Sequence, residues 1–173
     1  MNVAFTALTK EEPGTIERLL RASYAELLTL DPLWKPEQAN WVEYDREVFA
    51  HPETVGACLF LTRLDGRLAG FGSWDPRHGP EYGIVGHNCI LPEFRRKGLG
   101  GRQIQEILLR LQMRGVRTAR VTTSDHPFFV PAQRMYIALG FRETQRIPWD
   151  RNPSRELIEY EKKIDRHAAS AAG

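Results

Sequence analysis

Hydrophobic positions along this chain form short strand-like runs separated by stretches with helical spacing. Residues 3–8 predict a first strand. Ile16, Leu19, Leu20, Tyr24 and Leu27 then line one side of a helix over about 13–30, which Asp31-Pro32 ends. A second, more polar helical stretch, about 36–50, carries Trp41, Tyr44 and Phe49 among Glu43, Asp45 and Glu47, a mixture that predicts the edge of a pocket. Residues 57–63 and 67–74 flank Asp65-Gly66, a strong hairpin signal. Residues 75–80 break the chain before a strand at 82–91. Next come a glycine-rich loop and a helix with Ile104, Ile107, Leu108 and Leu111 on one face and Gly115 as its stop. The β-formers Val121, Thr122 and Thr123 mark a strand over 117–124, so the order is βαβ and the two strands are expected to be parallel. A loop at 125–131 leads to a short helix ending at Gly140. Residues 141–147 and 155–164 then predict a closing hairpin whose long turn holds Trp149, Asp150, Asn152 and Pro153.

With 173 residues, 19.8 kDa and 42% hydrophobic content, the chain suits one core better than two. We therefore expect a single α/β domain over 1–165 with a frayed tail at 166–173. No apolar run approaches the roughly 20 residues of a bilayer span, and the N-terminus lacks a secretory pattern. The expectation is a soluble, cytoplasmic protein without a membrane partner. Cys58 and Cys89 each sit in an apolar strand-like run, as small buried hydrophobes do, so neither a bridge nor a metal site is expected. A net charge of +2 is too mild to predict a nucleic-acid partner.

The basic cluster Arg95, Arg96, Lys97 and Arg102 is the local exception. It surrounds Gly98, Gly100 and Gly101, immediately before a helix. A helix N-terminus leaves N–H groups unpaired and carries partial positive charge, and glycines let a ligand approach that backbone. The stretch 91–101 therefore predicts a phosphate cradle; the plainer reading is a turn with solvated charges. Neither a Gly-x-x-x-x-Gly-Lys-Ser/Thr loop nor a Gly-x-Gly-x-x-Gly fingerprint occurs.

Two motifs together resemble the GNAT superfamily of N-acetyltransferases. Arg95-Arg96-Lys97-Gly98-Leu99-Gly100 is similar to the family's acyl-CoA loop. The segment from Ala132 to Phe141, with its tyrosine 36 residues after Gly100, is similar to the family's Ala-x-x-x-Tyr-x-x-x-Gly-Phe helix. The resemblance spans nearly the whole chain. It implies a mixed, mostly antiparallel sheet of about seven strands flanked by about four helices, with a parallel pair splayed at the acyl-CoA site. It also implies acetyl-CoA as co-substrate, held by Arg95, Arg96, Lys97, Gly98, Leu99, Gly100 and Gly101. The pantetheine arm would run along the strand before the loop, with the Ile90 N–H facing the thioester oxygen. Tyr136 becomes the candidate general acid, since a phenol of pKa about 10 is protonated at neutral pH; a core tyrosine is the alternative. One departure stands out, because Phe129 occupies a place where the family often has Asn.

The general base stays open. His87 lies on the strand before the loop, where many relatives keep an acid or His, yet alternation puts it on the face opposite Ile84, Gly86, Asn88 and Ile90 unless a bulge intervenes. Asp125 and His126 form a second candidate or an ordinary loop cap, Glu81 is a third, and ordered water a fourth. The resemblance places the acceptor between the early helices and the closing hairpin, with Trp34, Trp41, Tyr44, Trp149 and Asp150 as walls. Aromatics beside Glu43 and Asp45 would suit a cationic amine, although such residues are also ordinary core and solvated face. The implied reaction is direct attack by a small-molecule or peptide amine without an acyl-enzyme, Cys89 being structural. A non-catalytic acetyl-CoA-binding module is the alternative, and the resemblance leaves a homodimer open.

Overall fold

The computed structural model describes residues 1–164, so the tail expected at 166–173 lies outside the described residues. Seven strands form one sheet: β1 (Val3–Thr6), β2 (Leu59–Leu64), β3 (Arg67–Asp75), β4 (Gly83–Ile90), β5 (Thr118–Ser124), β6 (Arg142–Trp149) and β7 (Asn152–Lys163), in the order β1-β2-β3-β4-β5-β7-β6. The helices are α1 (Thr15–Leu30), α2 (Glu37–Ala50), α3 (Leu99–Met113) and α4 (Val130–Ala138). No helix among the described residues is long and apolar enough to cross a membrane.

Side-chain alternation divides the core between the two faces of the sheet. Phe60, Trp74 and Val85 pack against Ile104, Ile107 and Leu111 of α3, and Tyr136 of α4 joins the same cluster. Leu59, Leu61, Phe71 and Cys89 pack on the other face against Ile16, Leu19 and Leu20 of α1 and Trp41 of α2. Gln103 of α3 is 1% exposed. Its amide donates to Thr62 Oγ1 at 2.7 Å and to the Cys89 carbonyl at 3.2 Å, tying the helix to β2 and β4.

The start of α1 is held from a distance. Gly14 is its N-cap and has no side chain to offer, so Asp45 of α2 accepts from the N–H groups of Gly14, Ile16 and Glu17 at 2.7, 2.8 and 3.2 Å. This corrects the expectation that Asp45 stands beside an acceptor pocket: the carboxylate is buried as a cap.

Two irregularities shape β4. It is parallel to β5 for only two pairs, Gly83↔Ala119 and Ile84↔Arg120, after which the strands separate. Against β3, the pair Gly72↔Asn88 is followed by Trp74↔Val85, so β4 holds one extra residue and Gly86 and His87 together oppose Ser73. The bulge reverses the facing of the strand. Val85 lies with α3 and Cys89, four residues on, lies with α1 and α2, where an unbroken strand would put both on one face.

The closing hairpin is tighter at its tip than expected. Trp149 pairs with Asn152 across Asp150-Arg151, and one of the hairpin's two register shifts falls between Pro148 and Trp149, opposite the stretch containing Pro153. Proline cannot donate to a ladder, so the irregularity sits inside β7 rather than in a long turn.

Candidate functional site

The phosphate-type loop is anchored by Phe94, which is buried with Leu64, Ala69 and Leu99. Beyond it, Arg96 and Gly98 both take left-handed backbone, with φ of 58° and 75°, and Gly98 caps α3. Such alternation turns successive N–H groups toward one side, which is how a backbone makes an anion nest. A methyl group built on Gly98 or Gly101 would meet nothing within 4 Å, so that face is open, whereas at Gly100 it would meet Met135 Sδ at 3.1 Å. Arg96 and Lys97 are exposed beside it, and the Leu99 side chain points into the core, leaving only its backbone available.

Arg95 differs from its place among the loop's free charges. Its Nε donates to the Ile90 carbonyl at 3.1 Å, another guanidinium nitrogen donates to the Ser23 carbonyl, and its Cζ lies 5.7 Å from the Phe128 ring centre. The charge is committed to bracing the loop against α1.

Strand geometry orients Ile90. The Leu91 N–H donates to the Ala69 carbonyl at 2.9 Å, toward the β3 side, so the N–H groups of Ile90 and Asn88 face the gap that β5 has left. A cleft of about 480 Å³ opens in that gap and is lined from both faces of the sheet. Tyr136, Ala132 and Ser124 contribute to it, and so do Tyr24, Trp41 and His87.

Tyr136 is 4% exposed, with its ring against Phe141 and Tyr160 at 5.5 and 6.1 Å. Burial raises its pKa and the Asn88 side chain opposes that rise, so the phenol stays protonated. Sequence reading missed a second phenol, Tyr24, which donates to the Asn88 carbonyl at 3.2 Å and whose pKa is raised by burial. It sits in the apolar stripe of α1, which reads simply as core. Phe129 also lines the cleft and packs on Trp34 at 5.2 Å, so the polar group often found there is replaced by an aromatic wall.

The bulge brings His87 into the cleft, the exception that the alternation argument allowed. Its ring stands 4.8 Å from Tyr44, and burial lowers its pKa against the opposing charge of Glu37, which keeps the imidazole neutral at pH 7. The other base candidates lie elsewhere. Asp125 is not part of the cleft lining; its N–H donates to the Glu156 carbonyl at 2.9 Å, and its Oδ1 is buried without a partner. His126 Nδ1 accepts from the Phe128 N–H at 3.1 Å as a turn cap, and Glu81 pairs with Arg117 at 3.1 Å on the surface.

Among the expected walls, Trp41 stacks on Tyr24 at 5.5 Å and Trp149 on Trp34 at 4.7 Å, and all four line the cleft. Tyr44 does not. It faces a separate cavity of about 620 Å³ beyond His87, where burial pushes its phenol up to about 12. Asp150 is exposed at the hairpin tip, and Glu43 is exposed and paired with Arg46. Among the described residues, the carboxylate that does line the cleft is Glu37, which accepts from Asn40 Nδ2 at 2.9 Å and pairs with Arg151 across the rim. Cys89 is buried, with its thiol pushed up to about 11 by desolvation, so no thiolate is available at neutral pH.

Residues 56–143, just over half of the chain, match the family model described as an acetyltransferase (GNAT) domain. Comparison with curated protein sequences returns no match. Among solved structures, the chain is similar to a protein from Desulfovibrio desulfuricans assigned to the GNAT family of acetyltransferases, with 19% identity, coverage of 95% of this chain and 100% of that one, and a TM-score of 0.76. Ard1 from Thermoplasma volcanium is similar at 17% identity, with coverage of 95% and 99% and a TM-score of 0.68. An aminoglycoside 6'-acetyltransferase type Ii is similar at 19% identity, with coverage of 95% and 98% and a TM-score of 0.66. At these identities the structural likenesses establish the fold.

Proposed function

The chain belongs to the GNAT acetyltransferase family, and from that premise we propose that it transfers an acetyl group from acetyl-CoA to a primary amine by direct attack within a ternary complex. The observation that carries the reading is the early parting of β4 and β5, which opens an aromatic-lined cleft beside the strand that runs into the glycine-rich loop. Acetyl-CoA supplies the activated acyl group. The open backbone face at Gly98 and Gly101 fits its diphosphate, and the unpaired edge of β4 fits an extended pantetheine arm.

The Ile90 N–H would donate to the thioester oxygen as it gains charge. Tyr136, protonated because it is buried, would give its proton to the departing sulfur as the C–S bond breaks. His87, neutral because it is buried, would take the proton that the attacking nitrogen sheds. No acyl-enzyme forms, consistent with the protonated Cys89 thiol.

Calorimetry with acetyl-CoA, followed by thiol release on a panel of primary amines, tests this function. Tight binding with amine-dependent release is expected. Binding without release from any amine would overturn the transferase reading.

A further inference from the structure

Among the described residues, Glu37 is the one formally charged side chain that lines the cleft, whose walls include Trp34, Trp41, Trp149, Tyr24 and Phe129. A carboxylate among aromatic faces attracts a cation twice over, through its own charge and through the rings, and low local dielectric strengthens both effects. Position adds a constraint. Glu37 pairs with Arg151 at the exposed tip of the β6–β7 hairpin, so it marks the rim, whereas Tyr136 and Asn88 lie at the buried end where the strands part. An amine must be neutral when it attacks, so a carboxylate that holds positive charge throughout the reaction holds a different group.

We propose that the acceptor carries a second cationic group, held by Glu37 at the rim while its primary amine reaches the buried end of the cleft. This rests on the acetyl-transfer reading above and names its substrate class. Arg151 is then an internal placeholder. Its Cζ lies 5.8 Å from the Trp149 ring centre, and its guanidinium satisfies the carboxylate until an external cation replaces it. The indole N–H of Trp34 is buried without an acceptor in the protein, a feature more suited to a cleft that fills with a polar occupant than to a sealed core.

Three probes of matched length, 1,5-diaminopentane, 5-aminopentan-1-ol and 5-aminopentanoate, separate charge from size. With the purified chain and acetyl-CoA at low salt, kcat/KM should fall in that order, with at least about tenfold between the diamine and the amino alcohol. Glu37→Gln should bring that ratio close to one, acting through KM. Arg151→Met should act in the opposite sense and lower KM for the diamine, because it removes the competing cation. A structural brace would respond alike to loss of either partner, so equal effects of the two substitutions would overturn the proposal, as would a probe order insensitive to Glu37. Calorimetry of the diamine against the amino alcohol without acetyl-CoA separates the two readings. Glu37-dependent diamine binding with no acetylation would sink acetyl transfer and keep the cation site. Acetylation without charge preference would do the reverse, and no Glu37-dependent binding at all would overturn the cation site.

Discussion

Replacing Asp45 with alanine removes the acceptor for three N–H groups at the start of α1, and its cost can be worked from their surroundings. The bond to Ile16 is fully buried, so its donor would be left unsatisfied at about 1–3 kcal/mol. Those to Gly14 and Glu17 are partly buried, and water can replace the carboxylate there at roughly 0.5 kcal/mol each. Loss of a negative charge at the helix N-terminus adds a few tenths more. The expected destabilisation is about 3 kcal/mol, which for a chain of this length lowers Tm by roughly 6–12 °C. Asp45→Asn keeps one acceptor oxygen but not the charge, and should cost about half as much. Urea unfolding followed by circular dichroism measures both, with the m-value checked for constancy. If Asp45→Ala cost less than about 1 kcal/mol, the capping argument would fail. If it weakened amine binding at unchanged stability, the carboxylate would belong to the acceptor site instead.

Tyr136→Phe should lower kcat at least about tenfold while leaving the Kd for acetyl-CoA within about twofold; unchanged turnover across the pH range would remove it from the reaction, and a matching loss in Tyr24→Phe would transfer the role to that phenol. For His87, burial lowers the folded-state pKa below the usual value of about 6.5, so the base is fully available above that value and is lost as pH falls through the depressed one. The acid limb of kcat/KM should lie below about pH 6.5 and vanish in His87→Gln; an unmoved limb would exclude the imidazole. Gly98→Ala forces a side chain into left-handed backbone at a cost of roughly 1–2 kcal/mol. The nest should distort and acetyl-CoA affinity should drop about tenfold, which calorimetry would read.

Much of this architecture is written locally in the chain. The stripe of Ile104, Ile107 and Leu111, the Asp65-Gly66 hairpin and the βαβ order each depend on neighbours in sequence, and the elements stand where those patterns put them. The site is less legible because its decisive contacts are remote. Asp45 caps a helix that begins about thirty residues earlier, and Glu37 finds Arg151 at the other end of the chain. Neither pairing has a local signature, although a helix opening on Gly14 without a capping side chain signals that a partner must come from elsewhere. The bulge left a fainter trace in Gly86, since glycine inside a strand often marks one. Tyr24 was hidden because a phenol in an apolar helical stripe is indistinguishable by pattern from core. Tyr44 and Trp41 share a helix, yet only Trp41 lines the cleft while Tyr44 packs against the His87 ring, a difference that helical spacing alone does not reveal.

The parting of β4 from β5 has a further meaning for unwanted association between chains. Unsatisfied strand edges usually occur at the rim of a sheet, where any passing polypeptide can add itself and start an aggregate. Here the free edge lies mid-sheet, walled by Tyr24 on one side and α4 on the other. A foreign strand carries substituents on both sides of its backbone, and here both of those sides are already occupied. Burying the edge in this way removes it from the sheet's exposed rim, where such pairing would begin.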